Sequence, residues 1–208
     1  MTEDIEEFEI ILLGDSRVGK SSIIKRYVQN TFQDNLISTI GVVLSYKEVI
    51  VKDGTKIKLK LIDLSGKEKY RPLNISYYKK AQGVLFIFSY DERESFDHIE
   101  VWLNSYKNCS SYRDDIPLIL IGNKCDVENR KIEDNLIEEL KKRIGINDYV
   151  KISAKENIGI EELFKELAEK MYIQNKKYIE KMEKQQRQFA KKLKKQKKKK
   201  IVPICCLF

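Results

Sequence analysis

The eight residues Gly14-Asp15-Ser16-Arg17-Val18-Gly19-Lys20-Ser21 constrain this chain more than any other stretch. They match G-x-x-x-x-G-K-[ST], the phosphate-cradling P-loop. Phe8 to Leu13 before them is mostly apolar and β-prone. After them Ile23, Ile24, Tyr27 and Val28 recur at helical spacing. The loop therefore falls between a buried strand and a helix N-terminus, where backbone N–H groups and the helix dipole converge on an anion. Lys20 would reach the β- and γ-phosphates, and the Ser21 hydroxyl would ligate Mg²⁺. A Gly-rich turn with a chance Lys-Ser is disfavoured, because strand, loop and helix all fit.

Three further motifs choose a base and a reaction. Asn123-Lys124-Cys125-Asp126 follows the apolar run Ile116 to Ile121. A carboxylate there can accept both guanine N1–H and the exocyclic amine, a donor pair that adenine lacks, so Asp126 selects guanine. Ser153-Ala154-Lys155 follows a short strand, and its backbone can donate to the guanine oxygen. Ile62-Asp63-Leu64-Ser65-Gly66 ends another strand; Asp63 would hold Mg²⁺ through water, and the Gly66 amide would reach the γ-phosphate. Each short match is weak alone, but four in this order, each at a strand end, are a strong signal.

The order and spacing resemble the small GTPases of the Ras superfamily over roughly residues 8 to 175. The segment Ile37-Ser38-Thr39-Ile40-Gly41-Val42, the pair Tyr77-Tyr78, the Gly-Asp-Ser opening of the P-loop and the ending Cys205-Cys206-Leu207-Phe208 resemble the Rab branch. The resemblance implies GTP or GDP with Mg²⁺, and vesicle trafficking as the setting. The nucleotide would be held by Gly14, Ser16, Arg17, Val18, Gly19, Lys20, Ser21, Ser22, Phe32, Ser38, Thr39 and Gly66. Asn123, Lys124, Asp126, Ser153, Ala154 and Lys155 would complete the site. Phe32 would stack on guanine, and Thr39 would be the second protein ligand to Mg²⁺ beside Ser21. Lys20, Thr39 and position 67 would serve hydrolysis. Effectors would read segments 36–46 and 64–78, and an exchange factor, a GTPase-activating protein and a prenyl transferase with its escort would act on a monomeric domain. A Ras- or Rho-like signalling GTPase is the alternative within the superfamily; a P-loop kinase is disfavoured by Asp126 and the Ala154–Lys155 site.

The departures from that pattern matter as much. Rab proteins usually carry Phe where Leu44 stands and Trp where Ile62 stands, and Arg-Gly where Lys79-Lys80 follows the paired tyrosines. The family sequence Asp-Thr-Ala-Gly-Gln-Glu reads Asp63-Leu64-Ser65-Gly66-Lys67-Glu68 here. The family Gln orients the attacking water. Lysine has three donors and no acceptor, so it cannot take a hydrogen bond from that water. Slow hydrolysis and a bias toward the GTP form follow, and a GTP-locked scaffold is the competing function. Arg17 has two readings. It is either a built-in cation near the β–γ bridge or a side chain facing solvent while its backbone contacts phosphate. The second is favoured, because main-chain N–H groups cradle this part of the nucleotide.

The expected fold is an α/β doubly wound sheet of six strands, mostly parallel with one antiparallel edge strand, helices on both faces and the ligand at the carboxyl ends of the strands. Strands are expected near 8–14, 42–52, 55–62, 83–89, 116–122 and 149–152. Asp53-Gly54 marks a hairpin between the second and third. Helices are expected near 20–29, 75–80, 92–109 and 132–143, with a last one carrying Ile160, Leu163, Phe164, Leu167 and Met171. The helix near 92–109 opens with Asp91-x-x-Glu94, an acidic variant of the capping pattern. Trp102 belongs to its apolar stripe, and His98, the single histidine, reads as a surface decoration. The domains are an N-terminal extension (1–7), a GTPase domain (8–175) and a polybasic tail (176–208).

The tail carries its own argument. Residues 176–200 hold 13 Lys/Arg and 2 Glu, a net of +11 in a chain of +8, so the remainder sums to −3. Three readings compete: a solvated tail, a nucleic-acid patch and an electrostatic membrane clamp. The ending fits C-a-a-X, which favours lipidation of Cys205, with Cys206 as a second site. A lipid with a polybasic patch anchors stably, so the membrane reading wins and no nucleic-acid partner is expected. The start Met1 to Glu7 is acidic and lacks a secretory pattern, and no apolar run approaches the roughly 18 residues of a span. Four cysteines, two of them adjacent, do not form a disulfide framework. The expected location is the cytoplasmic face of an intracellular or plasma membrane, with a cytosolic pool. Whether 176–200 is helical is left open.

Overall fold

The computed structural model describes residues 5–34, 38–67, 71–109 and 115–200, with side chains described outside 71–73 and 190–200. The elements run β1 (Glu6–Leu13), α1 (Lys20–Gln29), β2 (Val42–Ile50), β3 (Lys56–Leu64), α2 (Arg71–Tyr78) and β4 (Gly83–Ser89). Then come α3 (Arg93–Asp97), α4 (Ile99–Lys107), β5 (Leu118–Asn123), α5 (Asp134–Ile144), β6 (Asp148–Lys151) and α6 (Ile160–Lys200). The strands form one sheet in the order β2-β3-β1-β4-β5-β6. All neighbours are parallel except β2 with β3. This is the expected mostly parallel sheet with an antiparallel edge.

Burial explains the strand compositions. All seven residues of β4 are buried, as a central parallel strand covered on both faces requires, and its sequence Val-Leu-Phe-Ile-Phe is accordingly continuous rather than alternating. Edge strand β2 has no fully buried residue. The β2–β3 turn closes through Gly54 N–H to the Val51 carbonyl at 2.8 Å, and Asp53 Oδ1 accepts the Thr55 N–H at 3.0 Å. On one face, Ile11, Leu13, Phe86 and Phe88 share a core with Tyr78, Phe96, Trp102, Leu103, Tyr106, Ile137 and Leu140 of α2 to α5. On the other face Tyr27 of α1 stacks on Phe164 of α6 with ring centroids 4.0 Å apart.

Two expectations are corrected. The single helix near 92–109 is two, α3 and α4, joined at His98. Asp91 does not cap it: Glu92 holds the N-cap position without a side-chain bond, while Asp91 binds Ser89 Oγ and the Lys124 ammonium instead. The chain forms two units, and the boundary between Met171 and Tyr172 lies within α6. Helix extends to Lys200, so the open question about 176–200 is answered. Among the described residues, no helix is long and apolar enough to cross a membrane. Cys205 and Cys206 lie outside the described residues, as do residues 36–37 and 68–70 of the two switch segments.

Candidate functional site: a guanine nucleotide pocket

Four loops at the carboxyl ends of β1, β3, β5 and β6 enclose a cavity of about 690 Å³. Its walls include Ser16, Arg17, Gly19, Lys20, Ser21, Ser22, Phe32, Ser38, Thr39, Gly66, Asn123, Lys124, Asp126, Ala154 and Lys155. Asp34 and Val127 also line it, without a sequence signal to mark them. Gly14, Val18 and Ser153 are buried behind the wall. Gly14 and Val18 work through their carbonyls, which accept from Lys20 Nζ at 2.9 Å and from Asn123 Nδ2 at 2.8 Å.

The phosphate end is built by close approach. A Cβ on Gly66 would lie 2.3 Å from the Asp15 backbone, so only glycine lets the start of the second switch segment rest on the P-loop. Gly19 has φ 98°, and a Cβ there would meet Asn123 Nδ2 at 2.2 Å. Lys20 is 6% exposed and donates to the Gly14 and Asp15 carbonyls at 2.9 and 2.7 Å. Burial pushes its ammonium down to about 8, with Asp63 and Asp15 pulling the other way. A polyphosphate beside it would favour the charged form.

Three oxygen donors expected at the metal meet at one point. Ser21 Oγ donates to Asp63 Oδ2 at 2.5 Å, Thr39 Oγ1 donates to the same oxygen at 3.0 Å, and the two hydroxyls are 2.9 Å apart. Burial raises the Asp63 carboxyl, opposed by the Ser21 hydrogen bond, Lys20 and Thr39. Its Oδ1 is buried with no hydrogen-bond partner. A hard-oxygen set with an orphaned carboxylate oxygen suits Mg²⁺.

The base end is a network. Asn123 spans it, donating to Val18 and accepting the Ala154 N–H at 3.3 Å. Asp126 Oδ1 is buried without a partner, a free acceptor where guanine recognition needs one. Lys124 is held at φ 60° with its ammonium 2.9 Å from Asp91 Oδ2. Arg26 of α1 clamps the last loop, with Nε on the Ala154 carbonyl at 2.9 Å and Nη2 on the Lys155 carbonyl at 3.0 Å.

His98 and Trp102 both reach the P-loop Asp15, so His98 is more than a surface decoration. Trp102 is buried as expected, but its indole N–H donates to Asp15 Oδ1 at 2.7 Å. His98 Nδ1 is 2.6 Å from Asp15 Oδ2. Arg17 is exposed at φ 69° and lines the cavity mouth. Lys67 is exposed and shares a second cavity, about 850 Å³, with Asp15, Arg17 and His98.

The sequence model of the Ras family matches residues 9–173. The chain belongs to the Ras family. Among similar proteins, Ras-related protein Rab-18-B of Danio rerio is 37% identical over 173 residues, 82% of each chain. GTP-binding protein YPTM1 of Zea mays is 35% identical over 158 residues, 76% of this chain and 74% of its own. Ras-related protein Rab-13 of Bos taurus is 32% identical over 169 residues, 81% of each. This Ras-family chain is a divergent Rab-like small GTPase, and GTP or GDP with Mg²⁺ are its cofactors.

Proposed function

We propose that this GTPase is a membrane-recruited switch in vesicle trafficking whose intrinsic hydrolysis is slow, so that it rests mainly in the GTP form. The observation carrying this reading is Lys67, exposed beside the P-loop at the position where the family has Gln. Lys20 neutralises phosphate charge, and the backbone of residues 14–21 orients the phosphates. Mg²⁺ at Ser21, Thr39 and Asp63 would neutralise charge developing between the β- and γ-phosphates. Thr39 and Gly66 tie both switch segments to the γ-phosphate end, so an effector surface would order with GTP and relax after hydrolysis. The missing element is an acceptor for the attacking water, which an ammonium does not provide.

Leu44 and Ile62 stand directly opposite each other across β2–β3, and Ile40, Val43, Leu44 and Tyr46 are exposed there. An effector surface with aliphatic Leu44 exposed over buried Ile62 would select partners different from those of Rab proteins with the aromatic pair. Lipidation of Cys205 and Cys206, with the polybasic run, would hold the protein on an anionic cytoplasmic leaflet. The test is the nucleotide retained on protein purified from a bacterial host, identified by chromatography after denaturation. A large GTP fraction is expected. Retention of GDP alone would contradict slow hydrolysis, and retention of no guanine nucleotide would contradict the site itself.

A further inference from the structure

We infer that residues 179–193 of α6 form an interfacial helix whose apolar face lies in an anionic bilayer surface. The helix carries two segregated faces. At 3.6 residues per turn, Ile179, Met182, Phe189 and Leu193 fall within an arc of about 80°, together with uncharged neighbours, while Tyr172 before them is buried. All seven Lys and Arg between 172 and 193, and both Glu, fall outside that arc. Ile179, Met182 and Phe189 are 46%, 39% and 65% exposed. An aromatic and aliphatic stripe opposite a lysine-rich face is the composition of helices that lie in the plane of a membrane interface.

Charge decides the occupant. Residues 172–200 carry a net of +11, so a second copy of this helix would be repelled. An anionic bilayer supplies both a negative field along the whole segment and an apolar boundary for the stripe. The stripe spans residues 179–193, about 22 Å of helix. The sequence then continues through Lys194–Lys200 to Cys205 and Cys206, so a lipid there would keep the helix close to the surface. The inference deepens the membrane reading above and rests on it. A single unlipidated signal of this kind binds weakly and reversibly, which leaves stable residence to the lipid.

The test uses the full chain produced without lipid, so that failure of this face and failure of the cysteine anchor read out separately. It is sedimented with phosphatidylcholine vesicles and with phosphatidylcholine–phosphatidylserine vesicles. The variant Ile179→Gln/Met182→Gln/Phe189→Gln keeps every lysine and strong helix formers. The parent should bind only the phosphatidylserine vesicles, and the triple variant should bind them about tenfold or more weakly. Helicity by circular dichroism and guanine nucleotide binding are measured on both and should be equal. In a second arm, Phe189→Trp should shift its emission to the blue on vesicle binding. Equal binding by parent and triple variant, or binding without a shift, would mean that charge alone holds the tail and would overturn the inference. A parent that ignores vesicles but associates with an acidic helical peptide would assign the face to a protein partner, with the same result.

Discussion

Asp15 joins three parts of the molecule through one residue. Its carboxylate is held by Trp102 at 2.7 Å and His98 at 2.6 Å, its carbonyl holds Lys20 at 2.7 Å, and its backbone meets Gly66. Replacing Trp102 with Phe keeps the ring but removes the donor. A hydrogen bond to a charged group is worth roughly 1.5 kcal/mol or more, so GDP release should quicken by about tenfold. Displacement of a fluorescent guanine nucleotide measures this directly; an unchanged release rate would reduce Trp102 to a packing residue. Most residues that line the cavity were legible because they lie in short local motifs. Asp15, Arg26 and Asp91 were not. Their partners sit 87, 128 and 33 positions away and become neighbours only when strands β1, β4, β5 and β6 align. Nothing local distinguishes such an Asp or Arg from a solvated one.

Among the elements, the buried strands were the most legible and the helix boundaries the least. β4 announced itself by an unbroken apolar run, and Asp53-Gly54 marked the hairpin. The break between α3 and α4 at His98 has no Pro or Gly to signal it; position 98 keeps helical dihedrals, with φ −80°. The length of α6 was illegible for another reason. A Lys-rich run has high helix propensity and strong self-repulsion, and the sequence alone does not rank the two. Element packing gives its own prediction. Phe88 of β4 is 0% exposed and meets Tyr90, Phe96 and Tyr149 at centroid distances of 5.5, 5.1 and 6.4 Å. Phe88→Ala should cost about 3–5 kcal/mol in denaturant unfolding of the GDP-bound protein. A loss below about 1 kcal/mol would mean that the aromatic cluster collapses around the gap.

At the scale of the whole molecule, charge is partitioned between the two parts of the chain. The basic excess belongs to residues 176–200, while the rest of the chain sums to −3. A nucleotide domain with its Mg²⁺ donors in register is thus joined to a segment suited to a negative surface. The domain gathers Lys20, Ser21, Thr39, Asp63 and Gly66 at one end of the cavity, and on the proposed reading Lys67 replaces the residue that would orient water. Such a protein would be loaded like a switch and turned off slowly, leaving its timing to helper proteins. Single-turnover hydrolysis by GTP-loaded protein, compared with its Lys67→Gln variant, tests this most directly. Restoring an amide with both donor and acceptor should speed hydrolysis by about tenfold or more. An unchanged or slower rate in the variant would contradict the account.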